Sequence, residues 1–408
     1  MKNIYILDEY QSSVQNGIGT FLQELVNCFQ DENICLVEFN SSEKAFCIKS
    51  ENRIKEMRFP VFQRNGFLAN YKIIDKFFRL YIEDSPDNLF MFNHSPCEKL
   101  MQLLKESFSL SKMTFTIHDF GWTTPLAGNI NLLKEIVLKE KQKRMQDKYK
   151  GIINYFHEEQ RMYEIADKVI CLSEDTYQFL QEIYLVKKDK ICLLANGLKD
   201  IHILSSLNKK RILKQKMFLP QEEKIILFSG RATYAKGVPN LLESFKQVLK
   251  KYPESRLVII GNVYDPSHVL KLSKSIAAKV SYTGLISKEE LSKWYRIADI
   301  GVVTSLSEQC TYTGIEMMMH GLPVIASDGF GVRTMFQNDV NAKVAKTGNR
   351  KKPKEFTNNL AKVLLELLFS EKLCEYLGKE ARKTYETRYT QEKMRAGYEE
   401  LLKQLYNQ

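Results

Sequence analysis

The segment SLSEQCTYTGIEMMMHGLPVIASD, from Ser305 to Asp328, carries the pattern that decides the predicted fold. It predicts the end of a strand, a short polar loop, one helix and then a second buried strand. Two glutamates, Glu308 and Glu316, stand on either side of the predicted helix start with seven residues between them. We expect Glu308 in the loop before the helix and Glu316 in the first helical turn.

The helix is predicted to open at Thr311, Tyr312, Thr313 and Gly314. A helix N-terminus presents unpaired backbone N–H groups and a partial positive charge, and both attract phosphate. Carboxylates on either side of a bound phosphate ester can accept hydrogen bonds from hydroxyl groups, and a sugar nucleotide has that layout. Acidic residues near a helix start are also common for electrostatic reasons alone. This segment by itself therefore leaves a binding site and a solvated surface equally open.

Length and composition indicate a globular chain of two or three domains, because 44% of the 408 residues are hydrophobic and 27% are charged. The N-terminus enters an apolar strand directly, so we expect no signal peptide and a cytoplasmic location. No run of about eighteen uncharged apolar residues predicts a membrane-spanning helix. The eight cysteines contain no CxxC pair and the six histidines are dispersed, which favours reduced thiols and indicates no zinc site.

The formal net charge of +11 admits nucleic acid, an anionic membrane or a polyanionic small ligand as a partner. The sequence contains no RNP motif, zinc-finger spacing or basic heptad region, so we do not expect it to bind nucleic acid. Residues 131–151 hold seven basic and three acidic side chains. Leu132, Leu133, Ile136 and Val137 stand there at helical spacing, which predicts a helix over 132–149. Such a helix can lie on the anionic inner face of a membrane, but a packed apolar face with solvated charge is the favoured interpretation.

Short apolar runs alternate with amphipathic ones along most of the chain, which predicts strands joined by helices and therefore parallel sheets. We predict a Rossmann-like domain over 1–198, a linker over 199–223 and a second Rossmann-like domain over 224–385. A C-terminal helix over 386–408 is expected to pack back on the first domain. Two domains of this kind place a ligand cleft at the carboxyl ends of their strands.

Two cations follow a predicted strand in the segment GRATYAKG, from Gly230 to Gly237. Arg231 can grip phosphate oxygens in a bidentate fork, while Lys236 supplies a compact positive charge, although both can also decorate an ordinary loop. The sequence has neither a DxD pair that would hold a nucleotide through Mg²⁺ or Mn²⁺ nor a GxxxxGK[ST] loop. We therefore expect no metal cofactor, with the charge of a diphosphate carried by these cations and the helix end.

The N-terminal half contains two further candidates at predicted strand ends. Gly17 and Gly19 belong to a glycine-rich turn, NGIG, before a helix, although Leu22 replaces the third glycine of a dinucleotide fingerprint. His118 follows a strand in TFTIHDFGW and is accompanied by an aspartate and an aromatic-glycine turn. His94, in MFNHSP, is assigned a structural role.

In chain order these segments resemble the family 4 retaining glycosyltransferases, whose fold is GT-B: two Rossmann-like, doubly wound α/β domains facing across a cleft. Glu308 and Glu316 match the EX7E motif of that family. HGLPVIASD resembles its G-x-P-V-I-A segment, and FSGRATYAKG resembles its G-R…K-G segment. LLANGL, IHD, NGIG and the pair Ala298-Asp299 are similar to further family segments in the family's order.

The resemblance implies roles for the matching residues of the C-terminal half. Arg231 and Lys236 would bind the donor diphosphate, Glu308 the hydroxyls of the donor sugar and Glu316 those of the ribose. The backbone N–H groups of 311–314 would meet the sugar and the β-phosphate.

For the N-terminal half, the resemblance implies that His118 lies beside the transferred sugar and the acceptor, and that Gly17 and Gly19 close on the diphosphate. It implies a metal-independent, retaining hexosyltransferase that uses a nucleotide-diphospho-sugar. The acceptor would be a glycan, a lipid-linked glycan, a protein or a small molecule, as in bacterial cell-surface polysaccharide or glycoconjugate biosynthesis.

Departures from the family pattern leave the donor sugar undetermined. Gln309, Cys310 and Thr311 stand where many members read G-F-G, and Gly331-Val332-Arg333 stands where a glutamate often follows a glycine pair. Three alternatives stay open: a sugar-nucleotide epimerase or a phosphorylase of the same fold, and a catalytically silent partner subunit of a glycosyltransferase.

Overall fold

A computed structural model of the chain describes residues 1–8, 17–51, 53–61, 67–93, 98–202, 207–349 and 352–406. Its contacts divide the chain into two compact units. Unit 1 comprises Met1–Pro125, Asn131–Ala195 and Met394–Gln408, and unit 2 comprises Leu126–Ile130 and Asn196–Lys393. In the described part of the chain, no helix is long and apolar enough to cross a bilayer.

The strands of unit 1 are β1 (Asn3–Asp8), β2 (Asn33–Ser41), β3 (Cys47–Glu51), β4 (Ile54–Pro60), β5 (Asn88–Phe92), β6 (Lys112–Thr116), β7 (Lys168–Cys171) and β8 (Ile191–Leu193). Its helices are α1 (Gly17–Cys28), α2 (Phe67–Tyr81), α3 (Glu98–Ser107), α4 (Ile130–Lys141), α5 (Lys150–Ile165) and α6 (Glu174–Glu182). The sheet order is β3-β4-β2-β1-β5-β6-β7-β8, and every pairing is parallel except that of β3 with β4.

The helices from unit 2 onward are α7 (Leu207–Lys216), α8 (Val238–Leu249), α9 (Pro266–Ser273), α10 (Lys288–Ile297), α11 (Tyr312–Met319), α12 (Val332–Met335), α13 (Pro353–Leu368), α14 (Glu371–Arg388) and α15 (Gln391–Tyr406). Its strands are β9 (Lys224–Ser229), β10 (Ser255–Ile260), β11 (Val280–Gly284), β12 (Ile300–Val303), β13 (Val324–Ser327) and β14 (Lys343–Ala345). They form one parallel sheet in the order β11-β10-β9-β12-β13-β14. Short 3-10 helices lie at Asp147–Tyr149, Lys188–Lys190 and Lys274–Lys279.

Both sheets contain a point where the strand order changes direction, between β1 and β5 in unit 1 and between β9 and β12 in unit 2. Such a switch point leaves a crevice at the carboxyl ends of the two strands, where open α/β sheets bind their ligands. The predicted α/β architecture with two Rossmann-like parallel sheets is confirmed.

The core of unit 2 explains why its strands read as continuous apolar runs. Every residue of β12 and β13 is buried. Ile226 and Phe228 of β9 belong to one apolar cluster with Leu241 and Phe245 of α8 and Leu360 of α13. Strands buried on both faces lose the polar alternation of half-exposed strands, which is typical of parallel sheets.

The helix predicted over 132–149 is shorter in the structure, where α4 is followed by a turn. Lys143 adopts a left-handed backbone conformation with φ 57°. The N–H of Arg144 donates to the carbonyl of Lys139, and that of Lys143 donates to Glu140, both at 2.8 Å. This pair of bonds is the Schellman pattern that ends helices, here with lysine at the position glycine usually occupies.

The apolar face of α4 is covered by the protein. Leu133, Ile136 and Val137, three of the four apolar positions predicted for this face, are buried, whereas Leu138 is exposed. The stripe that would enter a bilayer is therefore packed inside the protein.

The β3–β4 hairpin and α7 were not predicted from the sequence. In β4 only Met57 and Phe59 are buried, so the hairpin shows no continuous apolar run. Helix α7, LNKKRILKQK, lies inside the predicted linker and has too few apolar residues to show helical periodicity. Its position depends instead on two lysines, Lys210 and Lys214, that contact Asp299.

Asp299 joins α7 to the sheet of unit 2. Its carboxylate accepts hydrogen bonds from Lys210 Nζ at 2.8 Å and from the N–H of Ile225 at 2.7 Å, and Lys214 Nζ lies 3.6 Å away. Burial alone would raise the pKa of Asp299, but the two lysines and the backbone bond hold this pKa below its ordinary value. The carboxylate therefore stabilises unit 2 at neutral pH, and this contribution is lost as the pH falls through the lowered pKa.

Replacement of Asp299 by asparagine is expected to destabilise unit 2 by about 3 kcal/mol, because it leaves the buried Lys214 without a counter-charge. Urea unfolding followed by Trp294 fluorescence, in a Trp122→Phe background, restricts the signal to unit 2. The control Asp339→Asn neutralises an exposed carboxylate whose partner Lys343 keeps Glu366 at 2.9 Å, so it should change the free energy of unfolding much less. Equal losses in both variants would contradict the assignment.

Candidate functional site

The loops that follow β9 and β12 lie side by side at the switch point of unit 2. The hydroxyl of Thr304 donates to the carbonyl of Lys236 at 2.7 Å. The N–H of Leu306 donates to the carbonyl of Ala235 at 2.8 Å. These bonds bring the predicted cation loop against the loop that carries the first glutamate of the sequence motif.

Two glycines allow close backbone approaches here, Gly237 in the loop after β9 and Gly331 in the loop after β13. Gly237 has φ 72°, and a Cβ atom on it would lie 2.2 Å from the carbonyl oxygen of Thr304. Gly331 has φ 75°, and a Cβ atom there would lie 1.7 Å from the carbonyl oxygen of Glu308. Any side chain at either position would clash with backbone that cannot rotate away, so both loops need glycine at these points.

Lys236 and Glu308, which the sequence assigns to different parts of one ligand, contact each other directly. Lys236 Nζ donates to Oε1 of Glu308, and the two side chains are 23% and 15% exposed. The N–H of Glu308 donates to the carbonyl of Phe330 at 2.9 Å, which fixes the backbone below the carboxylate. A cation and a carboxylate therefore stand together at the mouth of the switch point.

Helix α11 begins one residue later than its predicted opening. Thr311 has an extended backbone, with φ −75° and ψ 124°, and accepts the first helical bond from Ile315 at 3.1 Å. The N–H groups of Thr313 and Gly314 consequently have no acceptor within the helix. Because the helix starts at Tyr312, Glu316 lies in its second turn, and the prediction of the first turn was wrong.

The remaining predicted residues of unit 2 differ in their surroundings. Arg231 is exposed and, within the described residues, forms no ion pair. Glu316 is partly exposed and accepts a hydrogen bond from the hydroxyl of Tyr295 at 2.7 Å. Burial raises the pKa of Glu316, while the bond from Tyr295 and the charge of Lys288 oppose this rise.

In unit 1, the structure brings His118 next to α1. The ring of His118 lies 4.4 Å from the ring of Phe21, edge to face. Gly17 and Gly19 form the first turn of α1, so the prediction that they lie in a turn before the helix was wrong. His94 and Asn16, two predicted positions of the N-terminal half, fall outside the described residues.

Among the described residues, no three histidine, cysteine, aspartate or glutamate side chains lie together in a way that could hold a metal ion.

The sequence similarity to a known protein family lies in unit 2. The family described as Glycosyl transferases group 1 matches residues 209–384. An uncharacterized glycosyltransferase of Methanocaldococcus jannaschii is 28% identical over 178 residues, which are 43% of this chain and 45% of that protein. The matched region thus spans under half of this relative.

Residues 209–384 form a group 1 glycosyltransferase domain. This confirms the resemblance found in the sequence. The glycosyltransferase domain includes Arg231, Lys236, Glu308 and Glu316, whereas His118 lies outside the matched region.

Solved structures share the fold over nearly the whole chain. Sucrose-phosphate synthase of Thermosynechococcus elongatus has a TM-score of 0.76 at 17% identity and covers 100% of both chains. HepE of Anabaena, solved in complex with UDP and glucose, has a TM-score of 0.70 at 14% identity and covers 98% of this chain and 99% of its own. At these identities the likeness shows the fold, which is that of GT-B glycosyltransferases.

Outside the glycosyltransferase domain, the sequence interpretation missed Glu159 of α5. This buried carboxylate accepts a hydrogen bond from the N–H of Gly121 at 2.8 Å and another from the hydroxyl of Tyr184. It therefore fastens the loop that follows His118 to α5. The signal was present in the sequence, because Glu159 occupies the same helical stripe as the buried Ile152, Phe156 and Tyr163.

Burial raises the pKa of Glu159 from 4.5 to about 7, although hydrogen bonds from Tyr184 and Gly121 oppose the rise. Between these two values the native carboxyl keeps a proton that the unfolded chain has released. The stability of unit 1 must therefore fall as the pH rises through this window and level off above it.

We expect the free energy of unfolding of unit 1 to decrease by about 3 kcal/mol as the pH rises from about 4.5 to above 7. Glu159→Gln should remove most of this slope, because a neutral amide can bond to the same partners. Urea unfolding followed by Trp122 fluorescence in a Trp294→Phe background measures unit 1 alone. Glu164→Gln, which changes an exposed carboxylate on α5, should retain the slope. An unchanged slope in Glu159→Gln would refute the assignment.

Proposed function

We propose that the protein transfers a sugar, a hexosyl group, from a nucleotide-diphospho-sugar to a hydroxyl-bearing acceptor, with retention of anomeric configuration and without a metal ion. The contact between Lys236 and Glu308, beside the N-terminus of α11 in a group 1 glycosyltransferase domain, carries this proposal. Unit 2 would hold the donor and unit 1 the acceptor.

The donor half would act mainly through charge. Arg231 and Lys236 would neutralise the diphosphate as it leaves, assisted by the N–H groups of Thr313 and Gly314, which have no acceptor within α11. Glu308 would accept hydrogen bonds from the sugar hydroxyls, and Glu316 would accept them from the ribose. Arg231 supports this role because it is exposed and its guanidinium is not engaged in an ion pair among the described residues.

Retention would follow from attack on the face that the diphosphate leaves. The bond between the anomeric carbon and the diphosphate oxygen breaks, and the acceptor oxygen bonds to the same face of that carbon. The acceptor proton passes to the departing diphosphate, so neither a protein nucleophile nor a metal is required. His118 would lie beside the sugar and the acceptor, while Gly17 and Gly19 would contact the diphosphate.

The nucleotide and the acceptor need direct measurement. HepE was solved with UDP and glucose, so UDP sugars are the first donors to test. The acceptor could be a glycan, a lipid-linked glycan, a protein or a small molecule of bacterial cell-surface synthesis. A catalytically silent partner subunit would bind no donor. An epimerase would consume the donor without an acceptor.

Thermal stabilisation by UDP, GDP, ADP and CMP sugars, followed by donor turnover with an acceptor panel, tests the proposal. We expect one class of sugar nucleotide to stabilise the protein and to be turned over with retention, read from the anomeric NMR signal, in the presence of EDTA. Lys236→Ala and Glu308→Gln should each reduce kcat/KM by about a hundredfold. The control Lys246→Ala removes a lysine–glutamate pair on α8 and should retain activity.

Failure of every sugar nucleotide to stabilise the protein would overturn the proposal. Full activity in both site variants would overturn it as well.

A further inference from the structure

Tyr295 of α10 holds one oxygen of the second motif carboxylate. Its side chain is 3% exposed, and its hydroxyl donates to Oε2 of Glu316 at 2.7 Å. Within the described residues no group donates to Oε1 of the same carboxylate, and Glu316 is partly exposed. One oxygen is thus engaged by the protein, and the other is left for a ligand.

The direction of this hydrogen bond is fixed by chemistry. An ionised carboxylate can only accept, so Tyr295 must donate. Burial and the neighbouring charge of Glu316 both raise the pKa of Tyr295 well above its ordinary value, which keeps the phenol protonated at any physiological pH. The carboxylate therefore meets a permanent donor.

His320 braces the ring of Tyr295 from the end of α11. Its Nδ1 lies 2.9 Å from the carbonyl oxygen of Glu316, and because a carbonyl only accepts, Nδ1 carries the proton. Nε2 is then the acceptor for the hydroxyl of Ser292 at 3.4 Å. The rings of Tyr295 and His320 are 5.1 Å apart. Burial lowers the pKa of His320 to about 4, so the ring that contacts Tyr295 is neutral.

We propose that Tyr295 is a positioning residue that orients the Glu316 carboxylate toward the ribose hydroxyls of the donor, with His320 holding the tyrosine ring in place. The inference rests on the proposed function, because it assigns a partner to the residue that would bind the ribose. Tyr295 itself touches neither the sugar nor the reacting atoms.

Loss of the tyrosine hydroxyl has two consequences for Glu316. The carboxylate is free to rotate, and it loses a group that favours its ionised form. Tyr295 and Lys288 face it from α10, and His320, which bonds to the Glu316 carbonyl, faces it from just after α11. Ser229, at the end of β9, contacts the tyrosine hydroxyl. With Tyr295 gone, Lys288 is the one described residue that still opposes the effect of burial, so the carboxyl gains its proton at a higher pH.

The test compares the wild type, Tyr295→Phe, Glu316→Gln and the double variant, with the affinity for UDP-glucose and for GDP-mannose measured across about pH 5 to 8. The control Tyr385→Phe removes a buried tyrosine hydroxyl that donates to the carbonyl of Leu198 at 2.9 Å.

For Tyr295→Phe we expect the affinity for the donor to fall about tenfold. The acid limb of the affinity–pH profile, where affinity is lost as the pH falls, should move to higher pH. KM should rise by a similar factor while kcat stays within about twofold, because the chemistry at the sugar is untouched. In the Glu316→Gln background the tyrosine change should add little further loss, since the two residues act as one unit. Tyr385→Phe should keep the wild-type affinity and acid limb at whatever cost in thermal stability.

An unchanged affinity and acid limb in Tyr295→Phe, with the wild type binding its donor, overturns the inference alone. Equal losses from the tyrosine change with and without Glu316 also overturn it, because they show an effect through the fold. A wild type that binds neither sugar nucleotide, nor the UDP, ADP and CMP sugars of the wider panel, overturns the proposed function and this inference with it.

Discussion

The carboxyl edge of the unit 2 sheet depends on how closely the backbone turns after β9, β12 and β13 approach one another. In the turn after β9, Gly237 lies so near the carbonyl of Thr304 that a methyl group has no room, and in the turn after β13 Gly331 leaves none beside the carbonyl of Glu308. Hydrogen bonds join the turns after β9 and β12 at this close approach. The cation after β9 and the carboxylate after β12 therefore meet because the two glycines permit it.

The chain pattern predicted the two parallel sheets, because strands buried on both faces produce apolar runs that alternate with amphipathic helices. It also predicted that Lys236 and Glu308 lie at the carboxyl edge of the same sheet, since each follows the carboxyl end of a strand. Their direct pairing was not predictable, because it depends on which strands are neighbours in the sheet. The same holds for Tyr295, whose partner Glu316 lies on another helix.

Other features escaped prediction for local reasons. Helix α7 is held by Asp299 through charge rather than by an apolar face, so hydrophobic periodicity gave no sign of it. The helix over 132–149 was predicted too long, because a lysine in a left-handed conformation ends it where the sequence shows no glycine. Glu159 was overlooked although it interrupts an apolar stripe, a place where a carboxylate must find buried donors.

The pairing of Lys236 with Glu308 also determines which kind of ligand can bind at the switch point at low energetic cost. Lys236 and Glu308 neutralise each other, so an anion that binds Lys236 must first separate the pair. A bare phosphate would then leave Glu308 without a donor in a largely enclosed position, which costs about 1–3 kcal/mol or more for a charged group. A ligand that carries hydroxyl groups beside its phosphate replaces both partners at once. The pair would therefore favour the proposed sugar nucleotide over a simple anion such as phosphate.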